Sequence, residues 1–198
     1  MKRLILLIAA IFLVSCGIDK KPYTYPDEGA EAKGNFATYE AEGVSFPYPE
    51  KWKVYDDTAI PGKHYTFTII HKPSGASMID LSARISESKE EAENIALEKN
   101  KEINDNIVIE NMIKKDMDDM GYRKFFVSNV VQEEIKTDKK TIYTTKAVAE
   151  LDPDRVLISY YYWAEKNFFC SMRLMSFERD FKKDNPYAKK IAENFKLQ

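Results

Sequence analysis

The sequence predicts an α+β fold in which a central antiparallel β-sheet is flanked by helices. Three observations point to it. Several segments alternate apolar and polar residues with the period of two that marks half-buried strands, one strand-like segment is apolar on both faces, and two stretches carry helical caps or spacings.

The chain opens Met1-Lys2-Arg3 and runs from Leu4 to Val14 without a polar residue before Ser15 and Cys16. A charged start followed by an apolar run of this length reads as a secretory signal. A membrane-spanning helix needs roughly 20 apolar residues, so this run is too short to remain as a span. Leu13-Val14-Ser15-Cys16 resembles the lipobox of bacterial lipoproteins. That resemblance implies that residues 1–15 are removed and that the Cys16 thiol carries lipid, palmitate included, as residue one of the mature chain. Several acyl chains, at about 0.8 kcal/mol per buried methylene, would then moor the protein to a bilayer without spanning it. The expected location is the cell envelope, with the domain facing the periplasm or the cell exterior.

Residues 16–38 contain Pro22, Pro26, Gly29 and Gly34 and few clustered apolar side chains, so they are expected to form a flexible linker reaching about 25 Å. Tyr23 and Tyr25 are its only aromatic side chains before Phe36. Residues 39–198 have the length of a single domain.

Within it, "GVSFPYPEKWKV" (43–54) reads as an apolar strand turned by Pro49, with Trp52 three residues on. In "SMIDLSARI" (77–85), Ile79, Leu81, Ala83 and Ile85 share one face. Ser88-Lys89-Glu90-Glu91 has the form of a capping box and opens a helix to about Ile103, with Ala92, Ile95, Ala96 and Ile103 as its apolar stripe. "GYRKFFVSNVV" (121–131) and "TIYTTKAVAEL" (141–151) are rich in β-branched and aromatic residues, and "LDPDR" (151–155) reads as a hairpin turn. "RVLISYYYWAE" (155–165) sets Val156, Ile158, Tyr160 and Tyr162 against Leu157, Tyr161 and Trp163, so it needs cover on both faces and should be central. A final helix is expected over about 184–195, with Pro186 in its first turn and Tyr187, Ile191 and Phe195 spaced by four.

"GVSFPYPEKWKV" and the closing "AKKIAENFKL" together resemble the PsbP-like superfamily, DcrB-type bacterial lipoproteins among its members. Asn194 stands where that pattern usually has Ser before the last Phe. The resemblance covers most of residues 39–198 and implies a PsbP-like α/β/α sandwich, in a family whose characterised members bind and assist other proteins; a cystatin-like α+β arrangement is the alternative. It carries over no partner and no site residue, because the shared motifs are core features.

The chain holds 30 basic and 32 acidic residues, a formal charge of −2 that becomes −4 once Lys2 and Arg3 are removed. With no basic excess it has no footprint for nucleic acid. No glycine-rich phosphate cradle and no G-x-S-x-G elbow occurs. Glu90, Glu91 and Glu93 fit an exposed helix face better than a pair of catalytic acids. His64 and His71 lie seven apart on one strand, hence on opposite faces, and no metal or other cofactor is expected. Cys170, in "NFFCSMRL", reads as a small buried hydrophobe. No catalytic residue is expected. The aromatic run 160–163 reads first as core, and Tyr161 or Trp163 lining an open groove is the sharper alternative. The expected activity is therefore non-catalytic binding of a protein partner in the envelope. The alternative is carriage of a small apolar ligand or lipid between sheet and helix.

Overall fold

The computed structural model describes residues 23–71 and 77–198. The expected leader, Cys16 and the first part of the expected linker lie outside the described residues.

The elements run β1 (Phe36–Ala41), β2 (Val44–Pro49), β3 (Trp52–Asp56), β4 (His64–His71), β5 (Ser77–Ile85), α1 (Lys89–Glu102), α2 (Asn106–Asp119), β6 (Phe126–Lys136), β7 (Thr141–Glu150), β8 (Arg155–Glu165), β9 (Phe168–Phe177), α3 (Glu178–Asn194) and β10 (Lys196–Leu197). Seven strands form one sheet in the order β3-β4-β5-β9-β8-β7-β6, and β1-β2-β10 form a second, small one. Each pairing is antiparallel. The fold is α+β, with helices on both faces of the large sheet.

β8 lies between β7 and β9 and divides its side chains by parity. Leu157, Tyr161 and Trp163 join the apolar cluster beneath α3 and the small sheet, with Trp52, Phe67, Phe181 and Phe195. Val156, Ile158, Tyr160 and Tyr162 join the cluster beneath α1 and α2, with Ile109, Ile113 and Met117. Burying both faces removes the polar alternation that an exposed face would require.

The helices start for local reasons. The Ser88 hydroxyl accepts from the Glu91 amide at 3.1 Å, while the Glu91 carboxylate accepts from the Glu87 amide, one residue earlier than a capping box requires. α2 is absent from the sequence reading; Asp105 caps it by accepting from the amides of Ile107 and Val108. α3 begins at Glu178, six residues before the expected start, so Pro186 lies inside the helix and not in its first turn.

Residues 23–35 differ from the linker expected over 16–38. Tyr25 is only 7% exposed, and its hydroxyl donates to the Asn129 carbonyl at 2.6 Å. Asn129 occupies the left-handed region, at the register shift between Ser128 and Val131 in β6, and this irregularity is what brings its carbonyl to Tyr25. Asp27 accepts from Lys146 Nζ at 3.0 Å and from Asn185 Nδ2 at 2.6 Å, and Tyr23 donates to Glu178 at 2.6 Å. Aromatic burial and a shielded ion pair hold the segment as a strap across α3 and β7, where composition alone suggests a solvated chain.

Candidate functional site: a trough beside the helix pair

α1 and α2 pack on β6, β7, β8 and β9. On the same face, the outward side chains of β4 and β5, Thr66, Thr68, Asp80 and Ser82 among them, stay partly exposed. Strand pleating dictates this split: Phe67, Ile69, Ile79 and Leu81 go to the α3 face, and their polar neighbours go to the other. The result is a trough with a hydroxyl-rich floor, walled along one side by α1 and α2.

At one end a cavity of about 330 Å³ is bounded by Asp80, Met112, Tyr160, Tyr162, Phe169 and Arg173. Ser82, Lys99 and Phe169 connect it to a larger concavity of about 680 Å³ that reaches His64, Arg84 and Ile95. Tyr160, Tyr162 and Phe169 form an aromatic ledge of near-parallel rings, with centroids 6.3 Å and 6.0 Å apart. Arg173 ties floor to wall, donating to Asp80 and to Asp116 of α2 at 2.7 Å each. Burial works against its charge, but the bonds and negative charge of the two carboxylates outweigh it and raise the guanidinium above its ordinary value.

The Tyr160 hydroxyl lies buried among these groups beside the Arg173 guanidinium and makes no hydrogen bond of ordinary geometry with a described residue. Burial pushes its phenol up to about 12, with Arg173 pulling the other way, so it stays protonated as a donor at neutral pH.

Tyr161 and Trp163, the expected groove residues, are on the opposite face. Tyr161 is 1% exposed and donates to Asn185 at 2.7 Å; Trp163 is fully buried, edge-on to Phe195 at 5.7 Å. α3 and the small sheet cover them; Tyr161 still borders a concavity of about 430 Å³ beside the strap, with Asp27, Lys146 and Asn185, whereas Trp163 is enclosed in the core. The aromatics that border the trough are Tyr160 and Tyr162 of the same strand, only 3% and 5% exposed, with the half-buried Phe169. The signal for them is parity alone, which becomes informative only once the uncovered face is known.

Cys170 is buried, and burial drives its thiol far above the ordinary range, leaving an inert core residue. His64 shares a hydrogen bond with the Ser82 hydroxyl at 3.1 Å, whereas His71 lies over Trp52 on the other face. Among the described residues no three potential metal ligands cluster, and no helix is long and apolar enough to cross a membrane.

No family model and no curated protein matches the chain. Among solved structures it is similar to the cyanobacterial PsbP protein CyanoP of Synechocystis sp. PCC 6803, at 16% identity and a TM-score of 0.48, covering 84% of this chain and 95% of that one. It is also similar to LpqN of Mycobacterium tuberculosis, described as involved in cell envelope biogenesis, at 10% identity and a TM-score of 0.47, over 90% and 99% of the two chains. A structure from Bacteroides thetaiotaomicron VPI-5482 aligns at 9% identity and a TM-score of 0.49, over 79% of this chain and 45% of that one.

Proposed function

We propose that this chain is a cell-envelope lipoprotein, anchored through acylated Cys16, whose PsbP-like domain binds a protein partner in the trough without chemical transformation. The observation that carries the reading is the uncovered half of the sheet. Thr66, Thr68, Ser82 and Ser171 offer donors and acceptors beside an aromatic ledge, with one held charge cluster at Asp80 and Arg173. Aromatic anchors edged by polar groups match the composition of interface cores. A photoactivatable residue at Ser82 in intact cells should give one discrete adduct that disappears on Phe169→Asp, while the same probe at Lys51, on the far face, should not. Adducts from Lys51 alone would refute the trough as the docking surface. The anchor has its own test: Cys16→Ser should abolish labelling by radioactive palmitate, and continued labelling would remove it.

A second reading, a small apolar ligand in the same place, is favoured by the buried Tyr160 hydroxyl and by a cavity volume within the lower range of ligand pockets, which starts at roughly 300 Å³. Native mass spectrometry of protein isolated from its own membranes should then show a bound small molecule that Met112→Trp expels. Identical masses for the two proteins, apart from the substitution, would count against it.

A further inference from the structure

The strap fixes more than the N-terminal chain. Tyr23 is held at the first turn of α3 through Glu178, and its ring packs edge-on against Tyr25 at 5.1 Å, so the polypeptide is tied to the body from Tyr23 onward. Only residues 17–22 separate it from Cys16. Fully extended, the seven steps from Cys16 to Tyr23 reach no more than about 25 Å. If Cys16 sits in a bilayer, the start of α3 must lie close to it.

The surface at that place is basic. Arg179, Lys182 and Lys183 project from the first two turns of α3 and, with Lys33 of the strap, border a concavity of about 640 Å³ against Ala30 and Tyr187. All four cations are exposed. Lys33, Lys182 and Lys183 form no ion pair with a described residue, and Arg179 pairs with its neighbour Asp180 at 3.5 Å and lies over the Phe177 ring. The lining of the concavity carries these four cations against Glu31 alone; Glu178, Asp180 and Asp184 share the same two helical turns, but Glu178 is paired with Arg155 and Asp184 is buried, so the exposed lining is net positive on a chain whose overall charge is −2. Lys51 continues the patch beyond Lys183.

We infer that the first two turns of α3, together with Lys33, rest against the anionic phospholipid headgroups of the bilayer that holds Cys16. The inference rests on the anchored reading of that cysteine. Tether length brings the patch to the headgroup plane, and charge complementarity holds it there, because phosphodiester headgroups attract cations that lie within a Debye length of the surface. The trough, on the opposite face of the large sheet from α3, is then turned away from the lipid and open to a partner.

The test uses mature, lipidated protein purified from cell membranes and reconstituted on vesicles of phosphatidylcholine alone or with about a quarter phosphatidylglycerol. A membrane-impermeant amine-acylating reagent then reports lysine access by mass spectrometry. Labelling of Lys182 and Lys183 should fall about threefold or more on the anionic vesicles, and about 0.5 M salt should restore it. Lys114 of α2 should label equally on both. The double variant Lys182→Glu, Lys183→Glu should float with the vesicles as before, yet lose the protection of Lys33. Floating wild-type protein with equal labelling of Lys182 and Lys183 on both vesicle types would overturn the orientation and leave the anchor standing. Protein that floats with neither vesicle would overturn the anchor, and the orientation with it.

Discussion

Trp52 begins β3 and is almost wholly enclosed, edge-on to Tyr187 of α3 at 6.2 Å and beneath His71. Its indole fills space between the large sheet and α3, so Trp52→Ala should cost about 3 to 5 kcal/mol in urea unfolding; an unchanged midpoint would show that the surroundings close over the gap. Asp184 is 1% exposed and accepts from Ser77 and from Ser176, the latter at 2.9 Å. Burial raises its carboxyl above the ordinary 3.8, while the two serine hydrogen bonds pull it down. The folded state therefore binds this proton more tightly than the unfolded chain does. Its contribution to stability is greatest at acid pH and declines as the pH rises from about 4 through the raised value. Asp184→Asn keeps an acceptor without the charge, so the urea midpoint should depend less steeply on pH as it rises above about 4; an unaltered slope would assign the dependence to another group. At this scale the sequence was legible by parity. It divided the side chains of β8 correctly, but Tyr161 and Trp163 look as fit for a groove as Tyr160 and Tyr162 until the layers covering each face are known.

Local chemistry made α1 readable and concealed the start of α3. Ser88 announces one helix, and Ser88→Ala should cost about 1 kcal/mol by chemical denaturation, with an unaltered midpoint showing that solvent substitutes for the hydroxyl. α3 offers no such sign, since Phe177 at its N-cap makes no side-chain capping bond, and Pro186 suggests a start where the helix is already formed. α2 could have been found from Asp105 and the four-residue spacing of Ile109, Ile113 and Met117. The strap was hidden for a different reason: its anchors, Asn129, Lys146 and Asn185, lie more than 100 residues away in the chain. Tyr25→Phe should remove about 1 kcal/mol and speed limited proteolysis within residues 23–35. Unchanged cleavage would mean that Asp27 alone retains the segment.

The layered arrangement as a whole was the most readable level, because strand-like segments with alternating or two-sided apolar patterns, together with two helical stretches, already demand a sheet covered by helices. Which half of the sheet stays uncovered was not readable, since it depends on where α1 and α2 come to rest. Amide exchange should follow the same layering, slowest in β8 and β9, which are paired on both sides and covered on both faces, and fastest in the strap; uniform exchange would contradict this graded order. The margins of the large sheet carry a further consequence. β3 is only five residues long and presents Lys53 and Asp56, while β6 is interrupted at Asn129 and bears Glu133, Glu134 and Lys136. Ionic side chains and broken backbone spacing deny a neighbouring copy an unblemished template for strand addition. Molecules crowded side by side can thus collide repeatedly without zipping into fibrils.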